Sequence, residues 1–90
     1  MWGSSVSVQR GTHYECSCIK EASKAAAEVR TMLEQVGVSK AGIEKGVQLF
    51  NERFNAGERT FTVTFSDNGQ TVTIRATAGG SKSNDTITVT

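Results

Sequence analysis

Two segments of helical period stand between stretches of strict apolar–polar alternation, and the longest Gly/Ser/Asn-rich stretch falls near the C-terminus. That pattern predicts an α+β chain with two helices packed on one face of a mostly antiparallel sheet, in the order ββααβββ, because each alternating strand has only one apolar face to bury. Ninety residues suffice for one two-layer core, so residues 1–90 read as a single domain, with residues 1–4 expression-derived or disordered.

The first element is a short strand over 6–9. Val6 and Val8 point one way, and Ser5, Ser7 and Gln9 the other. Arg10-Gly11 is placed to turn the chain into a second alternating run over 12–18. There Tyr14, Cys16 and Cys18 share one face and His13, Glu15 and Ser17 the opposite one. A competing interpretation takes Thr12-x-x-Glu15 as a capping box, which would leave one strand followed by a longer helix.

Residues 20–36 carry the first clear helix. Ala22, Ala26, Val29, Leu33 and Val36 recur at helical spacing with Ala25 and Met32 at the margin, while Lys24/Glu28 and Arg30/Glu34 stand four apart on the polar side. Gly37 stops it. Ser39 then caps a second helix, and Val38 and Ile43 are spaced as a hydrophobic staple. The second stripe is Ile43, Val47, Phe50 and Phe54, ending at Gly57. Gly42 and Gly46 each weaken this helix by roughly 1 kcal/mol relative to Ala, which makes sense where another element approaches closely; Ala22 and Ala26 of the first helix offer such a surface.

The C-terminal third reads as strand throughout. Asn68-Gly69 marks a type I′ turn, whose two central residues both need positive φ. Counting outward sets Phe65 against Val72, Val63 against Ile74 and Phe61 against Ala76, with Thr64 against Thr73 and Thr62 against Arg75 on the other face. A Gly-rich loop over 79–85 leads to a last strand over 86–90 with Ile87 and Val89 inward.

Composition excludes several classes. Ten Lys/Arg against nine Asp/Glu give a net charge of +1, which excludes a polybasic arm and dilutes the positive field on which nucleic-acid binding depends. No run approaches the roughly 18 apolar residues of a membrane span, and no signal peptide opens the chain. With two cysteines there is no disulfide framework. A soluble protein, of cytoplasmic type, is the expectation.

Chemistry-bearing residues are few. The single His and the two cysteines lie within six residues, but a zinc site wants four donors. His13, Cys16 and Cys18 therefore form only a weak metal or thiol candidate, and the cysteines are expected to be small buried side chains. Asp67 and Asp85, the only aspartates, fall in turns and are read as serving turn geometry. No nucleophile–base–orienter set is available, so no catalytic residues, cofactor or enzyme activity is expected. Gly79-Gly80-Ser81-Lys82-Ser83 lacks the glycine spacing and following helix of a phosphate loop.

The most unusual surface is the outer face of the C-terminal strands, where Thr60, Thr62, Thr64, Thr71, Thr73, Thr77, Thr86, Thr88 and Thr90 project with Ser66 and Arg75. An uncharged pleated face docks a protein partner with little desolvation of charge, and a proline-free last strand over 85–90 is open to edge pairing. The expectation is thus a protein-binding domain of adaptor or inhibitor type. Its contact residues would be Thr62, Thr64, Thr71, Thr73, Arg75, Thr86 and Thr88, with homo-oligomerisation through the edge strand as a variant. The alternative is a nucleic-acid-binding domain of helix-turn-helix-plus-hairpin type using Lys40, Lys45 and Arg53.

Overall fold

The computed structural model of the chain describes residues 4–78. Its architecture is α+β: strands β1 (Ser4–Arg10) and β2 (His13–Ile19), helices α1 (Ala25–Gln35) and α2 (Lys40–Asn55), then β3 (Phe61–Asp67) and β4 (Gln70–Ala78). The strands form one antiparallel sheet in the order β2-β1-β4-β3. Both helices lie on one face of it, α1 against β1 and β2, α2 against β3 and α1. No described helix is long and apolar enough to cross a membrane. The expected loop over 79–85 and strand over 86–90, with Thr86 and Thr88, lie outside the described residues, as do residues 1–3.

The β3–β4 hairpin has the register that its turn dictates. Asn68 and Gly69 both take positive φ, 51° and 81°, and Phe65 faces Val72, Val63 faces Ile74 and Phe61 faces Ala76. The first hairpin is strand on both sides, so the longer-helix alternative is not realised. Its two central residues are Gly11 and Thr12, with Arg10 opposite His13. Only Gly11 takes positive φ (60°), the pattern of a type II′ turn.

That turn corrects the expected burial of the cysteines. With Arg10 paired to His13, Val8 faces Glu15 and Val6 faces Ser17, so Glu15, Ser17 and Ile19 share the inner face with the two valines. Cys16 and Cys18 stand opposite Ser7 and Ser5 on the outer face and are exposed. A strand has a period of two, so the register of one turn decides the face of every residue after it.

The first helix starts later than its apolar spacing suggests. Ile19 is fully buried at the end of β2, and the chain must climb from the sheet to the helix layer before a helix can lie flat. Extended Glu21 and a 3-10 turn at Ala22–Lys24 make that climb, with Ala22 exposed. Ala25, Val29, Met32, Leu33 and Val36 then face the core. Both helices end in Schellman motifs. The Gly37 and Val38 amides donate to Glu34 and Leu33, those of Gly57 and Glu58 to Phe54 and Arg53, with φ of 90° at Gly37 and 95° at Gly57. The expected ion pairs within α1 are replaced: Lys24 meets Glu21 at 3.9 Å, and Arg30 reaches across to Glu44 of α2 at 2.6 Å.

Helix α2 is fixed at its start by a buried carboxylate. The Ser39 hydroxyl accepts from the Gly42 amide at 3.1 Å, which caps the helix, and donates to Asp67 Oδ1. The Ser39 amide donates to Asp67 Oδ2 at 3.1 Å, and Arg10 Nε lies 3.6 Å from the same oxygen. Asp67, 5% exposed, is the one buried polar side chain among the described residues. It closes β3 opposite Gln70 and points inward, so its role is to anchor a helix rather than to shape the turn.

The two helical glycines are explained by close approach, though from different neighbours than the alanines of α1. A Cβ on Gly42 would come within 2.5 Å of Asp67 Oδ1, and one on Gly46 within 2.8 Å of Leu33 and 2.9 Å of the Phe65 ring. The core beneath is aromatic: Phe50 is fully buried, stacks on Phe54 at 5.1 Å and meets Phe61 at 5.4 Å.

Two outcomes follow. Gly46→Ala gains up to about 1 kcal/mol of helix propensity but overpacks Leu33 and Phe65, which costs about 1–3 kcal/mol. Urea unfolding is therefore expected to show a lower midpoint for the variant; a higher one would contradict the packing. Ser39 holds the Asp67 carboxyl below its ordinary value through hydroxyl and amide hydrogen bonds, with Arg10 adding to the effect. Its contribution to stability is thus full above the unfolded-state pKa of about 3.9 and is lost as pH falls through the lower folded value. Thermal melts of Asp67→Asn should start lower at pH 7 and lose less between pH 5 and pH 2 than the parent. Parallel pH profiles for the two proteins would contradict this.

Candidate interaction surface

The registers assemble the outer sheet face row by row. Cys18, Ser5 and Thr77 form one row, Cys16, Ser7, Arg75 and Thr62 the next, and Tyr14, Gln9, Thr73 and Thr64 the third. Thr71 and Ser66 close it at the turn end. The helices occupy the other side, so this face has no covering layer among the described residues. Ser5, Ser7 and Thr73 are half-buried by their neighbours and the rest are exposed, including Tyr14 at 58%, the only large exposed apolar side chain described.

Arg75 is the only charged side chain in these rows, and no carboxylate shares them. It borders a shallow depression with Ser5, Ser7, Tyr14, Cys16 and Thr77. A second depression near the hairpin turns is lined by Gln9, Gly11, Gln70, Thr71 and Thr73. Both are open; the first has the Arg75 guanidinium at its border among hydroxyls, a thiol and methyl groups, and the second presents only hydroxyls, amides and methyl groups. Threonine suits such a surface: its β-branch fits the pleat, its methyl adds apolar area and its hydroxyl can donate or accept.

The structure brings together Thr62, Thr64, Thr71, Thr73 and Arg75 of the expected contact set. It adds a half that the sequence argument did not include: Ser5, Ser7, Gln9, Tyr14, Cys16 and Cys18 from β1 and β2. Joining the halves requires the long-range β1–β4 pairing, which sets Ser7 beside Arg75 and Gln9 beside Thr73.

The alternative basic set is less coherent. Lys40 and Lys45 are exposed on α2, in company with Glu44 and Glu52. Arg53 is engaged, its Nε donating to Glu58 at 3.0 Å and its guanidinium lying 5.4 Å from the Phe61 ring centre. Arg30 and Glu44 bind each other through two contacts, 2.6 and 3.3 Å, which raises the Arg30 pKa and lowers that of Glu44 through hydrogen bonding and charge attraction. On an exposed surface such a pair orients side chains more than it stabilises the fold.

Of the weak metal set, His13 points to the helix side of β2 and the two cysteines point away from it. No group of three or more His, Cys, Asp or Glu residues able to hold a metal occurs among the described residues. Along the edge of β2 the inner face is polar as well, with the Ser17 hydroxyl donating to Glu28 at 3.0 Å.

The exposure of the cysteines has a direct check. Both Cys16 and Cys18 should react with a maleimide in the native protein, giving two adducts at a rate close to that of the urea-unfolded chain. Protection that lifts only on adding denaturant would place them on the inner face and refute the register of the first hairpin.

Comparison with known protein families, with curated proteins and with solved structures finds no match to this chain.

Proposed function

We propose that this chain is a non-enzymatic protein-binding domain, of adaptor or inhibitor type, that docks its partner on the outward face of its sheet. The observation that supports the proposal is the make-up of that face among the described residues: four strands wide, without a covering layer, and uncharged except for Arg75. Burying charge at an interface requires a matched partner for every ion. Hydroxyl and amide groups ask less, because their hydrogen bonds can be remade across the contact or through water. Tyr14 and Arg75 are of residue types enriched among energetically dominant interface positions, and they border the same depression.

A partner other than a second copy suits this face better. Two copies docked about a two-fold axis through its centre would bring two Arg75 side chains into one interface, with no carboxylate in the rows to offset them. The helix side offers no comparable surface, since its Lys and Arg residues alternate with Glu.

Thr62→Glu with Thr73→Glu tests the proposal. Both positions are on the outer face, Thr62 exposed and Thr73 half-buried, so the fold should survive with a stability loss of about 1 kcal/mol or less. Arg75, opposite position 62, can match only one of the two new carboxylates; desolvating the other costs several kcal/mol, which amounts to at least a hundredfold loss of affinity. In affinity capture with the chain as bait, a protein retained by the parent and by a Lys45→Glu control should be lost by the double variant. Retention of every partner by the double variant would refute the proposal.

A further inference from the structure

We propose that Cys16 and Cys18 form a dithiolate site for a soft monovalent cation, copper(I) being the type case. The proposal stands apart from the protein-binding one: it needs only β2, Arg75 and their exposure. Both thiols are free, exposed and two residues apart on one strand, and therefore on one face. β2 is an edge strand of the described sheet, so the pair is open from above and from the side.

Spacing separates metal binding from disulfide formation. Alternate residues of a strand stand about 6.8 Å apart at Cα, at the upper end of the range a disulfide spans. Pairing of Cys16 to Ser7 and Cys18 to Ser5 holds the backbone in that extended form. A bridging metal ion relaxes the requirement, because two bonds of about 2.3 Å allow the sulfurs to stay up to ~4.6 Å apart.

Donor number and charge then select the cation. Zinc favours four ligands; here there are two, His13 points to the other face, and no third donor completes a cluster among the described residues. Thiolates select copper(I) among the biological metals by softness, and a univalent d10 ion is content with two of them. Binding is balanced as one cation plus two thiols giving an anionic bis-thiolate and two released protons. The complex carries one negative charge, and Arg75, the only charged side chain among the described residues of the face, borders the same depression as Cys16. Arg75 thus supplies the counter-charge, and no carboxylate competes among the described residues of that face.

The test uses the full, reduced chain under nitrogen with copper(I) supplied as its bicinchoninate complex. Native mass spectrometry should show one copper per single chain, and Cys16→Ser and Cys18→Ser should each weaken competition with the chelator by more than about 100-fold. Arg75→Gln should keep the stoichiometry and weaken binding about twofold, as one unit charge two strand spacings (about 10 Å) away does in a water-like dielectric. Alkylating both thiols of the folded parent provides the same readout without a substitution, and should abolish copper uptake. Equal uptake by the alkylated or serine forms would overturn the proposal, as would a copper-loaded species that contains two chains.

Discussion

The Asp67 carboxylate holds three separate parts of the chain at one point: the end of β3, the start of α2 and the end of β1. A buried carboxylate is unfavourable unless its oxygens are matched. Asp67 is matched by the hydroxyl and amide of Ser39 and by the charge of Arg10. The N-terminal end of a helix is where a negative charge is best placed, and Gly42 removes the Cβ that would keep α2 from closing on it. With that end fixed, the α2 stripe of Ile43, Val47, Phe50 and Phe54 falls on the sheet and against Leu33 of α1.

Everything on the other side of the sheet follows from this one-sided packing. The helices take the face that carries Val6, Val8, Val63, Ile74 and Val72, and the alternate residues are left outward. Those outward residues are almost all Thr, Ser, Gln or Cys, with Tyr14 and Arg75 as the exceptions in size and charge. A solvated face in a mixed-charge chain would be expected to carry its share of Lys and Glu. Here the other ionised groups lie elsewhere, on the helices, in the loops and on the inner side of the strands, where Arg30 meets Glu44, Arg53 meets Glu58 and Arg10 meets Asp67. The segregation leaves one broad surface among the described residues that is neutral but for Arg75, with two thiols at its edge and Arg75 two strands further in.

Much of this architecture is legible from local chemistry. Asn68-Gly69 admits one turn type and so sets the whole β3–β4 register, and Ser39 with Val38 and Ile43 specifies the start of α2. The glycines at 42 and 46 announce a close approach, although the sequence does not say that Asp67, Leu33 and Phe65 make it. The cysteine face was also within reach: counting outward from Gly11-Thr12, as from Asn68-Gly69, places Cys16 and Cys18 opposite the outward serines. A turn at Arg10-Gly11 slides the pairing by two residues and leaves the same side chains outward, so what conceals it is the apolar character of free thiols, which suggests burial. Asp67, the β1–β4 pairing and the Arg30–Glu44 pair are different in kind. Each joins residues far apart in the chain, and no local spacing encodes which distant partner a carboxylate or a strand edge will find. Helix α1 is intermediate, since its apolar period runs back to Ala22 but the climb out of the sheet takes up that first turn.

One face of the sheet is polar and has no covering layer among the described residues, while the other carries the core. Nuclear magnetic resonance of the isolated chain with a soluble gadolinium chelate checks this division. The methyl signals of Thr62, Thr64 and Thr73 should broaden strongly, while those of Val63, Val72 and Ile74 remain sharp. Equal protection of both sets would mean that the outer face is covered, and would contradict the account.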